Sequence, residues 1–156
     1  MKLVVQELTI AAPAHLVYEL LTDPRQFVRW MAEEASLDPR PGGAVRWTHA
    51  NGDTCSGKYI ELVPGRRVVF SYGWERAEVE IPPGSTTVEI DLTPTDDGGT
   101  VLRLVHRGLG DRAADAHRGG WSHYLDRLHR LAVGSAPGPD PFVTIRVPTP
   151  AELGAP

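Results

Sequence analysis

Two histidines occupy positions where a buried imidazole could do chemistry. His106 ends an alternating apolar row of a predicted strand, and His117 falls on the apolar side of a predicted helix that also carries Tyr124. A buried imidazole can act as a general base or orient the carbonyl group of a ligand. It can equally be a neutral ring that is hydrogen-bonded to the backbone. The sequence leaves both interpretations open, with His106 or Tyr124 as the acid or base if the protein is an enzyme.

The histidines and the cysteine do not have the spacing of metal ligands. His123 and His129 are six residues apart on different sides of a predicted helix, and Cys55 has no neighbouring Cys or His in a recognised pattern. Zinc sites use these residue types at close, recurrent spacings. The sequence also lacks a phosphate-binding loop, a dinucleotide fingerprint and a nucleophile elbow. We therefore predict no metal, no cofactor and no identifiable catalytic residue.

An amphipathic helix over residues 117–133 must position several of the candidate residues. At helical spacing, an arc of about 120° around Trp121 contains the apolar residues Tyr124, Leu125, Leu128, Leu131 and Ala132. A helix of roughly 17 residues is about 25 Å long and could cover a small sheet. Gly119 and Gly120 precede Trp121, and two glycines inside a helix favour a bend or a close approach to the sheet.

Most of the remaining chain has the pattern of antiparallel strands. The predicted strands are 3–10, 44–49, 54–63, 67–74, 86–93 and 100–107, separated by turn residues such as Asn51-Gly52. Two short helices are predicted between the first two strands, over residues 13–22 and 24–31. The connections are too short for parallel crossovers. The predicted fold class is therefore α+β, with helices on one side of a curved antiparallel sheet.

Aromatic residues with polar tips are predicted to face the space between the sheet and the long helix. Such side chains are common in ligand pockets, although aromatic residues at these spacings can also simply fill a core. We predict a ligand site for a hydrophobic or aromatic small molecule, formed by Trp30, Trp47, Tyr72, Trp74, His106, His117, Trp121, Tyr124 and Leu128.

Composition narrows the class of protein. The chain has 156 residues, 41% of them hydrophobic, and a net charge of −4, which fits one folded domain and gives no basic stripe for nucleic acid. A single cysteine suits a reducing compartment. The first ten residues do not resemble a signal peptide, and no apolar run approaches the roughly 18 residues of a membrane span. We predict a cytoplasmic protein without a membrane span.

Five stretches resemble a known superfamily, in its order along the chain. They are the helix ending in LLTDP with Trp30-Met31 downstream, PGGAVRW at 41–47, GKYIELVPGRRVVFSYGWE at 57–75, GSTTVEIDLTPTDDGGTVLRLVHRGL at 84–109 and HRGGWSHYLDRL at 117–128. They resemble the START/Bet v 1-like (SRPBCC) superfamily, in the branch similar to the activator of the ATPase of heat-shock protein 90. The resemblance implies a helix-grip fold, in which a curved sheet wraps around a long C-terminal helix and encloses a hydrophobic cavity.

The resemblance implies several roles, because fold alone does not determine function. The first is binding of a hydrophobic or aromatic small molecule in the cavity. The second is a protein-interaction role like that of the chaperone activators, with a protein partner or a second copy of the chain. The third is an enzyme of cyclase or hydrolase type that uses His106 or Tyr124.

The C-terminal tail lies outside the resemblance. We predict a helix-grip domain over residues 1–134 and a Pro/Gly-rich tail over residues 135–156. Within the tail, apolar and other residues alternate over 142–147, the pattern of a short strand bracketed by prolines. We predict that this segment docks on an edge of its own sheet or on a second copy of the protein.

Overall fold

Seven strands and three α-helices make up residues 2–154, which this computed structural model describes. The strands are β1 (Val4–Ile10), β2 (Glu34–Leu37), β3 (Ala44–Thr48), β4 (Thr54–Val63), β5 (Arg67–Tyr72), β6 (Thr86–Pro94) and β7 (Thr100–Arg107). The helices are α1 (Ala14–Thr22), α2 (Pro24–Phe27) and α3 (Asp111–Ala132), with 3-10 turns at Ala77–Val79 and Pro141–Val143. The strands form one antiparallel sheet in the order β1-β7-β6-β5-β4-β3-β2. The α+β helix-grip prediction is confirmed.

The predicted second helix is shorter than expected. Asp23 accepts a hydrogen bond from the Arg25 backbone N–H at 2.9 Å and so caps α2, but the helix ends at Phe27. The Trp30 indole N–H then donates to the carbonyl of Leu20 in α1 at 2.7 Å. This buried contact turns the chain back towards α1, because a buried indole N–H needs an acceptor.

Strand β2 was not predicted from the sequence. It pairs with β3, from Glu34 opposite Thr48 to Leu37 opposite Val45. Its four residues alternate only between exposed and half-buried positions. The segment is therefore defined by its partner β3 and carries little local strand signal of its own.

Helix α3 begins six residues before the predicted start at His117. Its buried residues are Ala114, His117, Trp121, Tyr124, Leu125 and Leu128. The helix ends in a Schellman motif, in which Gly134 adopts a φ of 85° and the Ser135 N–H donates to the Arg130 carbonyl at 2.8 Å. The helical assignment is unbroken through Gly119 and Gly120, and a Cβ at either position would meet no atom within 4 Å. The expected close approach to the sheet is therefore wrong, and the alternative of a bend stays a prediction.

The tail returns across the body of the protein. No strand forms within residues 142–147, all of which the structure describes, so the predicted short strand is wrong. Asp140 instead accepts a hydrogen bond from the Phe142 N–H at 2.9 Å and starts the 3-10 turn at Pro141–Val143. We call residues 140–153 the C-terminal flap. Among residues 2–154, no helix is both long and apolar enough to cross a membrane.

The buried face of α3 can be tested by mutation. Leu128 is fully buried, so Leu128→Ala should lower the free energy of unfolding by about 2–5 kcal/mol. Ser122 lies on the exposed side of the same helix, and Ser122→Ala should change it by less than about 0.5 kcal/mol. Urea unfolding measures both values. Similar losses in the two variants would contradict this placement of the helix.

Candidate functional site: an aromatic cavity between the sheet and helix α3

A cavity of about 430 Å³ lies between the sheet and α3. Trp47, Tyr72 and Trp74 line it from the sheet side, and His49, Asn51 and Asp53 line it from the turn between β3 and β4. Helix α3 contributes Ala116, His117, Gly120, Trp121 and Tyr124, and Met31 precedes β2. The flap completes the wall with Phe142, Ile145, Arg146, Val147, Pro148 and Glu152.

Six of the nine predicted site residues line this cavity, namely Trp47, Tyr72, Trp74, His117, Trp121 and Tyr124. The other three are buried but are not part of its wall. The Trp30 indole is directed to the Leu20 carbonyl and packs edge-on against Phe27. His106 is fully buried and hydrogen-bonded to the indole of Trp121, and Leu128 is a fully buried core residue of α3.

Each of the three cavity tryptophans donates its indole N–H to a histidine ring nitrogen. The distances are 3.1 Å from Trp47 Nε1 to His49 Nε2, 3.1 Å from Trp74 Nε1 to His117 Nε2, and 3.0 Å from Trp121 Nε1 to His106 Nδ1. An indole N–H can only donate, so each of these histidine nitrogens is an acceptor without a proton. The walls are therefore aromatic surfaces whose indole polar groups are already satisfied.

The second nitrogen of each histidine fixes the tautomer. His117 Nδ1 donates to the Ala113 carbonyl at 2.7 Å. His106 Nε2 donates to the Thr86 hydroxyl at 2.8 Å, because that hydroxyl donates its own hydrogen to the Tyr72 carbonyl. His49 Nδ1 lies 3.2 Å from the Tyr124 hydroxyl, which donates to Asp140 Oδ2 at 3.0 Å.

Burial keeps these imidazoles neutral. Burial, and to a smaller extent the nearby His117, lowers the pKa of His106 to about 3. Burial also lowers the pKa of His117, against the opposing effect of the Ala113 carbonyl. It lowers the pKa of His49 despite the nearby carboxylates of Asp140 and Asp53. Burial raises the pKa of Tyr124, and Asp140 raises it as well, so its hydroxyl stays protonated near neutral pH.

One end of the cavity is polar and is organised by Asp53. The side chain of Asp53 is 1% exposed and accepts hydrogen bonds from Arg76 Nε at 3.1 Å and from Arg146 Nη2 at 2.6 Å. It also accepts the backbone N–H of Val147 at 2.8 Å. The neighbouring Asn51 donates to the carbonyls of Phe142 and Ile145 in the flap, at 2.9 and 3.0 Å. Two guanidinium groups and a backbone N–H thus satisfy the hydrogen-bonding capacity of this buried carboxylate.

The sequence analysis missed two groups of lining residues. His49 shares the strand parity of Val45 and Trp47, so alternation could have placed it on the inward face. Asn51 and Asp53 looked like ordinary turn residues, and the flap residues have no local signal that links them to a cavity. Among residues 2–154 no group of three or more His, Cys, Asp or Glu side chains is arranged to hold a metal ion.

Comparison with known proteins identifies the family. The model of the family described as "Activator of Hsp90 ATPase homolog 1-like protein" matches residues 11–132. The chain belongs to this family. The match spans strands β2 to β7, α1, α2 and all of α3, and it ends before the flap. A comparison with curated proteins finds no match.

Several solved structures have a fold similar to that of this chain. An AHSA1-like protein from Rhizobium etli is 44% identical, with a TM-score of 0.69, over 94% of this chain and 91% of its own. CalU16 from Micromonospora echinospora is 26% identical, with a TM-score of 0.69, over 85% and 76%. The Aha1 dimer from Colwellia psychrerythraea, 19% identical, has a TM-score of 0.71 over 85% and 96% and shows similarity of fold only.

The neutral histidines predict that acid destabilises the fold. In the unfolded chain this histidine binds a proton below about pH 6.5, whereas in the folded protein His106 binds one only below about pH 3. The free energy of unfolding therefore decreases as the pH falls from about 6.5 to 3. His106 alone should account for about 2 kcal/mol of unfolding free energy between pH 7.5 and 5. Over the same pH range, the free energy of unfolding of His106→Gln should therefore decrease by about 2 kcal/mol less than that of the wild type. Urea titrations at each pH measure the difference.

The exposed His15 provides the control for this measurement. His15→Gln should retain the pH dependence of the wild type. Equal pH dependence in His106→Gln and the wild type would contradict a neutral, buried His106.

Proposed function

We propose that the protein binds a small, mostly apolar molecule with an aromatic or polycyclic body in the cavity between the sheet and α3. The observation that carries this proposal is a cavity of about 430 Å³ walled by Trp47, Tyr72, Trp74, Trp121 and Tyr124. This volume falls within the range of about 300–1,000 Å³ typical of small-molecule sites. A protein interior without a ligand role is normally packed without voids of this size.

The chemistry of the wall favours an apolar body for the ligand. The three indole N–H groups are already bonded to histidine nitrogens, and the Tyr124 hydroxyl is bonded to Asp140. A polar ligand group placed against these walls would lose its water without gaining a new partner. Stacking against the rings requires no such partner.

The polar end of the cavity favours one hydrogen-bonding or anionic group on the ligand. Asn51, Asp53 and Arg146 line this end, where Asn51 and Arg146 both contact Asp53. The side chain of Arg146 is 48% exposed, so its guanidinium can exchange solvent for a ligand group more easily than the buried Asp53 can. A ligand with an apolar ring system and one polar end would match both parts of the cavity.

An enzymatic role for His106 or Tyr124 has less support. His106 lies outside the cavity wall with both ring nitrogens bonded, and the raised pKa of Tyr124 makes it a weak acid.

A protein-interaction role, which the family description suggests, is the second candidate. The cavity favours ligand binding, since a filled interior would be expected of a pure interaction module.

We include a cytoplasmic location in the proposal, because the one cysteine, Cys55, is free and buried.

The experiment that tests this proposal uses two neighbouring glycines of α3. Gly120 lines the cavity, whereas Gly119 is exposed, and a Cβ at either would meet no atom within 4 Å. Gly120→Leu should occupy the cavity and weaken the binding of 1-anilinonaphthalene-8-sulfonate about tenfold or more, a loss of about 1.4 kcal/mol. Gly119→Leu should bind it like the wild type. Both leucines favour helix over glycine, so both variants should fold.

Titration of the fluorescence of the bound probe gives the affinities. A panel of steroids, fatty acids and aromatic polyketides, screened by the rise in melting temperature, would then narrow the ligand class by mass action on the folded state. Equal affinities for Gly119→Leu and Gly120→Leu would show that the probe binds elsewhere. Failure of every compound to bind or to stabilise the wild type would remove the ligand-binding proposal.

A further inference from the structure

The C-terminal flap supplies one side of the cavity although it follows the family domain. The family match ends at residue 132, and the flap begins at residue 140. Phe142, Ile145, Val147 and Pro148 of the flap all line the cavity. Without the flap, the side of the cavity that these residues form would be open to solvent. The boundary of the binding site is therefore partly made by a segment outside the residues that the family model matches.

The flap is fastened mainly by side chains of one turn. The side chain of Asn51, between β3 and β4, donates hydrogen bonds to the carbonyls of Phe142 and Ile145. Asp53, in the same turn, accepts the backbone N–H of Val147. Arg76 adds a bond to the carbonyl of Val147. At the start of the flap, Asp140 accepts the Tyr124 hydroxyl and lies 3.3 Å from His123 Nε2. Three of the residues that hold the flap also line the cavity, namely Asn51, Asp53 and Tyr124.

The flap lacks the attachment that fixes an ordinary strand. None of residues 140–153 belongs to a strand, so the sheet is complete without them. A segment held by a few side-chain contacts opens at a lower free-energy cost than one that must break a strand ladder. The flap can therefore separate from the turn while the fold stays intact.

A second cavity also borders the flap. Its volume is about 600 Å³, and Pro148, Pro150 and Leu153 of the flap line it. Both cavities share Ala116 and His117 of α3 and Pro148 of the flap. The two cavities therefore border the same part of α3, and flap residues line both of them.

We infer that the C-terminal flap is the gate of the aromatic cavity and one of its specificity-determining walls, with Asn51 and Asp53 as the latch. This inference rests on the proposed function, because a gate requires a ligand. When the latch is closed, Phe142, Ile145 and Val147 limit the size and shape of the ligand that the cavity can hold. When it opens, a molecule enters or leaves past the turn between β3 and β4.

Asn51→Asp tests the latch with little change to the turn. The side-chain oxygen of Asn51 accepts the Asp53 N–H at 2.8 Å, and aspartate keeps this acceptor. Its carboxylate cannot donate to the Phe142 and Ile145 carbonyls and faces them with like polarity. Gln6→Glu is the matched control, because Gln6 also donates an amide hydrogen to a backbone carbonyl, that of Arg118, away from the cavity.

The first measurement is hydrogen exchange without any ligand. The Val147 N–H, bonded to Asp53, should exchange several-fold faster in Asn51→Asp than in the wild type, and at an unchanged rate in Gln6→Glu. The amides of β7 should exchange equally in all three proteins, which shows that the fold is intact. An unchanged exchange rate of the Val147 N–H in Asn51→Asp would show that Asn51 does not hold the flap closed.

The second measurement is stopped-flow binding of 1-anilinonaphthalene-8-sulfonate. Association and dissociation should both be several-fold faster in Asn51→Asp than in the wild type or Gln6→Glu, because the gate is open more often. Faster exchange at Val147 with unchanged binding rates would overturn the gate. If no protein bound the probe, the proposed function and the gate would both fail, while faster exchange would still support the latch.

Phe142→Ala tests the wall. Phe142 packs against Tyr124 with a ring-centroid distance of 5.8 Å, so its removal enlarges the cavity beside that ring. The affinity for the larger probe bis-anilinonaphthalenesulfonate, relative to the smaller one, should rise several-fold in Phe142→Ala and stay constant in Gln6→Glu. A constant ratio in Phe142→Ala would overturn the role of the flap in specificity.

Discussion

The pairing of buried indole N–H groups with neutral histidines is the constraint on which the interior depends. Tryptophan gives the cavity its wide apolar walls, but each indole brings a donor that cannot be left unpaired. A neutral imidazole supplies the acceptor and adds another ring. Two of the three pairs join the sheet side to α3, from Trp74 to His117 and from Trp121 to His106. They hold the helix over the sheet at a fixed spacing, and the open volume lies beside them.

Periodicity in the sequence predicted most of the fold and much of the cavity wall. Alternation placed Trp47 and Tyr72 inward, and helical spacing placed Trp121 and Tyr124 together, because these relations are local. The partners of the indoles could not be predicted in this way, since Trp74 and His117 are 43 positions apart. The sequence also did not show whether an inward-facing residue lines the cavity or lies behind its wall. Alternation put His106 on the inner side, but the packing of α3 places Trp121 against it and so buries it completely.

Strand β2 and the flap show a second limit of local patterns. The β2 segment forms a strand because β3 provides a hydrogen-bonding partner for its backbone. Residues 142–147 alternate but form no strand, because the side chains of Asn51 and Asp53 bond to their backbone instead. In both cases the nearest available hydrogen-bonding groups outweigh the intrinsic preference of the segment. The same turn between β3 and β4 therefore closes a hairpin, contributes to the cavity and organises the C-terminus.

The distribution of tryptophan gives this protein an optical property. Of its four tryptophans, three form the cavity wall, and the fourth, Trp30, is buried against α1 with its N–H on the Leu20 carbonyl. Ultraviolet emission from the molecule thus originates largely at the surface that a bound molecule would touch. Trp30 also contributes to this emission, although it lies outside the cavity wall. Most of the intrinsic fluorophores of the protein therefore surround its interior cavity, so a molecule that entered the cavity would be detected without an added label.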